Sequence, residues 1–130
     1  MSGILRLRLT AALYMLAVAT AGLVPLPVRL DTSATGSIEL SLGRLMHSGA
    51  YLVMVVLVFG AWRGRQRTGR ALCAAAIHGV LLEAMQGVVS WRCFEWGDLF
   101  YNVVGVVAGW AILVLGRRLG LSKAGIDFLT

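Results

Sequence analysis

Four long apolar runs constrain this chain more than any other feature. Leu9–Val28 holds twenty residues without a charge, Leu45–Trp62 eighteen, and Leu99–Gly116 eighteen. Ala71–Trp91 is interrupted by a single acid, Glu83. A helix needs about twenty predominantly apolar residues to cross the roughly 30 Å hydrocarbon core of a bilayer. Inside lipid, only helices and closed barrels satisfy the polar groups of their own backbone. The runs therefore predict an all-α membrane protein. It should be a compact bundle of four transmembrane helices at 9–28, 45–62, 71–91 and 98–116, in one domain spanning 1–130.

Charge and composition support that class and exclude others. Apolar residues make up 58% of the chain, charged residues 14%, and mean hydropathy is +0.81. Soluble domains have about 45–50% and about 25%. The net charge of +6 does not point to nucleic acid, because the basic residues flank apolar runs and form no stripe with interleaved aromatics. Their distribution sets the orientation instead. Arg6, Arg8, Arg63, Arg65, Arg67, Arg70, Arg117, Arg118 and Lys123 fall on one side of a four-span topology. Arg29, Arg44 and Arg92 fall on the other. The positive-inside rule puts the larger set, with both termini, in the cytoplasm. The links 29–44 and 92–97 then face outward.

The first run has a second reading, a secretory signal with Arg6 and Arg8 as its basic region and Ala19-Thr20-Ala21 as a cleavage site. We expect a retained helix closed by Pro25 and Pro27. In the link that follows, Ile38, Leu40 and Leu42 alternate with Ser37, Glu39 and Ser41. That period of two suits a short strand or a segment lying on the membrane surface. Cys73 and Cys93 bracket the third helix, about 30 Å apart at 1.5 Å per residue, too far for a disulfide. Neither belongs to a metal-binding spacing.

The unusual polar residues gather at one membrane depth, the outer one. Three of the six acidic residues, Glu83, Glu95 and Asp98, lie between 83 and 98. Gly79, Glu83, Gln86 and Ser90 share one face of the third helix by their spacing. Asp98, Asn102, Gly105 and Gly109 share one face of the fourth, and Arg44, His47 and Tyr51 one face of the second. Three polar stripes on three helices predict an inward-facing, partly hydrated pocket. Each residue also has a structural reading. Asp98 suits a helix cap. Gly105 and Gly109 form a GxxxG pair suited to close helix packing, and Gln86 and Asn102 suit interhelical hydrogen bonds. His78 lies off the Glu83 face and reads as a packed histidine. Glu83 is the hardest to explain structurally, since a carboxylate in a membrane needs a partner. Arg92 is the expected partner by position, with His47 second.

These residues resemble the VanZ-like family of small bacterial membrane proteins. Glu83, Gln86, Arg92, Asp98, Asn102, Gly105 and Gly109 stand at the family's spacing, and His47 and Tyr51 match its upstream part. The resemblance covers about residues 44–116. One departure is that Gly43-Arg44 stands where the family has an Asp-Lys pair, so the positive charge is kept and the carboxylate is missing. The resemblance implies a multi-pass protein of the bacterial cytoplasmic membrane, linked by the family name to glycopeptide resistance, chiefly to teicoplanin. It implies no reaction.

Three functions compete. In the first, the pocket binds a lipid-linked precursor, glycolipid or other phosphate- or glycan-bearing envelope molecule. Arg44 and Arg92 would meet its anionic group, and Tyr51, Glu83, Gln86, Asp98 and Asn102 its hydroxyls and amides. In the second, the pocket is an intramembrane enzyme, with Glu83, Asp98 and His47 as acid and base groups. In the third it carries protons or ions, although no polar path continues through the lower halves of the helices. No nucleophile motif or phosphate loop is present. His47, Glu83 and Asp98 could together form a metal site, but no metal-ligand spacing is present, so the sequence points to no cofactor and no metal. The bilayer itself is the expected partner.

Overall fold

The computed structural model describes residues 3–24, 36–62, 66–92 and 94–119, with side chains of the second helix from Gly43 onward. Four helices make up almost all of it: α1 Gly3–Leu23, α2 Gly36–Ala61, α3 Arg67–Val88 and α4 Trp96–Arg118. Each is long and apolar enough to cross a membrane. No strand occurs among the described residues.

The ends of the helices differ from the sequence reading in ways that follow from local chemistry. Leu23 ends α1 five residues short of Val28. The residue before a proline is pushed out of the helical region, and Pro25 stands two residues on. At its other end α1 takes in Arg6 and Arg8, whose long stems let their charges reach the interface. The α2 helix begins at Gly36 rather than Leu45, so the alternating stretch from Ser37 to Leu42 is helical and not a strand. A lone strand has no neighbour to take its backbone hydrogen bonds, whereas a helix satisfies them internally. Against the expected 71–91, α3 runs Arg67–Val88, beginning earlier and also ending earlier, while α4 extends at both ends, from 98–116 to Trp96–Arg118.

The bundle centres on α2, which packs against all three other helices and most extensively against α4. The α3 helix also touches the other three, so α1 and α4 lie on opposite sides of the α2–α3 pair and do not meet. Tyr51, Met54, Val55, Val58 and Ala61 form the buried stripe of α2 at three- and four-residue intervals. Ala71, Ala75 and Leu82 answer from α3, and Ala11 from α1. From α4, Val106 and Leu113 pack partly buried against this core, and its backbone comes closest at two glycines. A Cβ built on Gly105 would collide with the Ser48 carbonyl, and one on Gly109 would lie 2.9 Å from Val55 Cβ. The apolar residues left outside, such as Leu13, Leu16, Val80, Leu81, Val107 and Ile112, face where lipid would be.

The two ends of the bundle are chemically distinct. At one, guanidinium groups lie over aromatic rings: Arg67 and Arg117 over Phe59, Arg8 and Arg70 over Trp62. Arg8 also donates to the Ala61 carbonyl, and Arg117 to Thr68. The opposite end carries Arg44, His47, Glu83, Arg92 and Asp98, with Trp91 and Trp96 beside the α3–α4 link. Tryptophans at that level suit a membrane interface.

Candidate functional site

Three helices bring His47, Glu83 and Asp98 together. One ligand-type atom from each lies within 4.8 Å of the others. His47 comes from the part of α2 next to Ser48, where the Gly105 contact brings the α2 and α4 backbones close. That close approach carries the ring of His47 onto Asp98 and Asn102. Its Nδ1 lies 3.0 Å from Asn102 Oδ1, and its Nε2 lies 3.3 Å from Asp98 Oδ2. Both His47 and Asp98 are partly open, at 25% and 29% side-chain exposure.

Asp98 does not serve as the helix cap. Glu95 holds the N-cap position, without a side-chain cap bond, and the Asp98 amide bonds back to the Glu95 carbonyl. The Asp98 carboxylate in the first turn turns toward His47 instead. Its position at the N-terminus of α4 still favours negative charge there.

Glu83 is the anomaly of the molecule. It is 0% exposed, yet neither carboxylate oxygen has a hydrogen-bond partner among the described residues. Arg92, the expected partner, makes no bond to it; the Arg92 amide closes a turn onto the Val89 carbonyl. The second expected partner, His47, is nearby, but so is the like-charged Asp98. Asn102 is buried as well, and its Nδ2 is also unpaired.

Other polar residues marked by the sequence are engaged in holding helices together. Gln86 donates from Nε2 to the Gly22 carbonyl at 2.8 Å. Tyr51 is 1% exposed and its hydroxyl lies 3.0 Å from His78 Nδ1. His78 Nε2 faces the Met15 carbonyl at 3.0 Å. That carbonyl can only accept, so Nε2 carries a proton and donates to it. Both ring nitrogens of His78 are therefore bonded within the protein. Sequence reading missed the ties of Tyr14 to the Ala50 carbonyl and Trp91 to the Leu23 carbonyl. Both are side-chain donors to main-chain acceptors, which leave no pattern in a sequence.

Beside the cluster, an open groove of about 330 Å³ runs between α2 and α4, lined by Arg44, Leu45, Ser48, Tyr101 and Val104. The Arg44 guanidinium lies 5.4 Å from the Tyr101 ring centre. Arg44 forms no ion pair among the described residues. Ser48 Oγ donates to the Tyr101 carbonyl and closes the floor of the groove. The groove thus joins a stacked cation, two apolar walls and an adjacent acidic cluster.

A family model described as VanZ/LLP1 matches residues 10–117. No curated protein matches the chain, and neither does any solved structure. The match covers well over half of the sequence, and the chain belongs to the VanZ/LLP1 family. With four apolar helices of spanning length, it is a multi-pass membrane protein.

Proposed function

We propose that this VanZ/LLP1 family member binds the polar part of a lipid-linked, phosphate-bearing envelope molecule at the His47–Asp98 end of its bundle. The observation that carries this reading is the groove beside the cluster. Arg44 is held over Tyr101 at its side, while Leu45 and Val104 supply apolar wall. A lipid with an anionic head requires that combination at an interface: a guanidinium for bidentate contact with phosphate and apolar surface for the first methylenes of the chain. Family membership supports an envelope-related role, and a link to glycopeptide resistance is part of this proposal. The distribution of basic residues supports a pocket on the outer side of the cytoplasmic membrane.

The chain purified in detergent should bind polyprenyl phosphate more tightly than a neutral lipid of equal length, measured by native mass spectrometry. Arg44→Gln should weaken that binding about tenfold, the effect of losing about 1.4 kcal/mol. Equal binding of both lipids, or no change in Arg44→Gln, overturns the reading. For orientation, a membrane-impermeant thiol reagent should label Cys93 in intact cells carrying Cys73→Ala. Labelling only after permeabilisation reverses the topology. Cys93 itself lies outside the described residues.

A second reading, an acid–base enzyme, draws on the contact between His47 and Asp98. A histidine oriented by a carboxylate is a common catalytic arrangement, and Glu83 supplies a second acid beside it. Turnover of a lipid-linked phosphate that is abolished in Glu83→Gln while binding persists would favour the enzyme over the binding protein.

A further inference from the structure

We propose that His47, Glu83 and Asp98 hold a divalent transition-metal ion of the zinc class. The argument starts from Glu83, whose carboxylate is fully buried and has no hydrogen-bond partner among the described residues. His47 and Asp98 converge on it, one ligand-type atom from each of the three lying within 4.8 Å of the others. His47 Nδ1 lies 3.0 Å from Asn102 Oδ1, and Nε2 lies 3.3 Å from Asp98 Oδ2. An imidazole and two carboxylates meeting at one point are a ligand set for a cation.

The dimensions suit one. Zinc bonds nitrogen and carboxylate oxygen at about 2.0–2.2 Å in a tetrahedron, which sets neighbouring ligand atoms about 3.3–3.6 Å apart at those lengths. The Nε2–Oδ2 separation of 3.3 Å already equals that edge. The remaining separations, all within 4.8 Å, close through the side-chain torsions of Glu83. Asn102 Oδ1, 3.0 Å from His47 Nδ1, stands where the outer partner of a ligating histidine stands, and with an ion on Nε2 it would accept the far N–H. Charge agrees too. Two carboxylates and a divalent cation sum to zero, so the ion removes the cost of a bare carboxylate at membrane depth. The partial exposure of His47 and Asp98 gives the ion a way in and leaves a coordination position open to water or a phosphate oxygen. A mixed imidazole–carboxylate set favours zinc-like ions over magnesium, which prefers oxygen and retained water. The three ligands come from three helices, so no spacing along the chain could announce them.

The inference stands without the lipid-binding reading, and its test uses no lipid-binding assay. Full-length protein in detergent is stripped with a chelator, equilibrated with Zn²⁺, desalted and analysed for metal by mass spectrometry. Co²⁺ substitution is followed by its visible ligand-field bands. About one ion per chain should be retained, Zn²⁺ should displace Co²⁺, and excess Mg²⁺ should not. Glu83→Gln and Asp98→Asn should each weaken Zn²⁺ binding by more than the roughly 10–100-fold that loss of an outer partner alone costs. Asn102→Leu should fall inside that range and shift the Co²⁺ bands. Metal-free melting temperatures report folding of each variant, and the partly exposed Asp98 provides a second ligand variant should Glu83→Gln not fold. An ion-free wild type overturns the proposal and assigns the cluster to protons instead. Undiminished Zn²⁺ binding in folded Glu83→Gln or Asp98→Asn also overturns it, and preference for Mg²⁺ overturns the class of ion.

Discussion

The seam between α1 and α3 and the seam between α2 and α4 solve the same problem by different means. Between helices in lipid the hydrophobic effect contributes little, so association depends on close packing and polar contacts. The α1–α3 seam uses contacts. His78, Gln86 and Trp91 each donate to a carbonyl of α1. Every polar group there has a partner. The α2–α4 seam uses proximity, with Gly105 and Gly109 set against Ser48, Leu52 and Val55. At its upper end it leaves the Glu83 carboxylate and Asn102 Nδ2 without partners among the described residues. Satisfied polar groups fasten helices, and the unsatisfied ones at this depth are where we propose that a ligand binds.

The comparison can be broken from either side, and the proximity seam should give the larger effect. Gly105→Leu forces a side chain into the Ser48 backbone, which cannot move aside as a side chain can. Overpacking of this kind costs about 3 kcal/mol or more, and folded yield by size-exclusion chromatography should collapse. Gly109→Leu meets the Val55 side chain and should cost less. A normal yield of Gly105→Leu would mean that the α2–α4 seam is not held by proximity.

Gln86→Leu comes next. It removes one fastening of α1 and should lower stability by about 1–2 kcal/mol, read as a drop in melting temperature. Trp91→Phe loses a more exposed bond and should cost about 0.6 kcal/mol. If both variants melt like the wild type, contacts do not hold that seam.

Glu83→Gln should be the smallest change and opposite in sign. Removing an unpaired buried carboxylate relieves a desolvation cost, so the metal-free variant should melt at or slightly above metal-free wild type. A clear drop in its melting temperature would show that Glu83 has a structural partner and belongs with the satisfied groups.

Much of the bundle was legible because a membrane admits few structures. Run lengths alone located four helices, and their polar stripes pointed to the depth at which His47, Glu83 and Asp98 come together. Legibility failed where the outcome depended on which neighbour arrives. Arg92 lay in the right link for Glu83, but sequence distance says nothing of where an arginine side chain goes. Tyr51 stood on the same face as His47, yet one turn lower it meets His78 rather than the site. Gln86 shared the Glu83 stripe but reaches α1. The alternation at 37–42 looked like a strand because periodicity carries no information about whether a pairing partner exists.

The fastening of α1 has an evolutionary consequence. Three of its ties are made by its own carbonyls, at Met15, Gly22 and Leu23, and every residue type supplies a carbonyl. Only Ala11 of α1 is buried. Apart from Arg8 and Tyr14, whose side chains donate to α2 carbonyls, and small residues at Ala11 and Gly22, where Leu82 and Gln86 crowd in, the first helix is free to drift through apolar substitutions, while α3 and the turn after it, which supply the donors, are not. Divergent relatives should therefore be harder to align across their first helix than across any other, and a foreign apolar segment grafted in its place should dock against the same three donors.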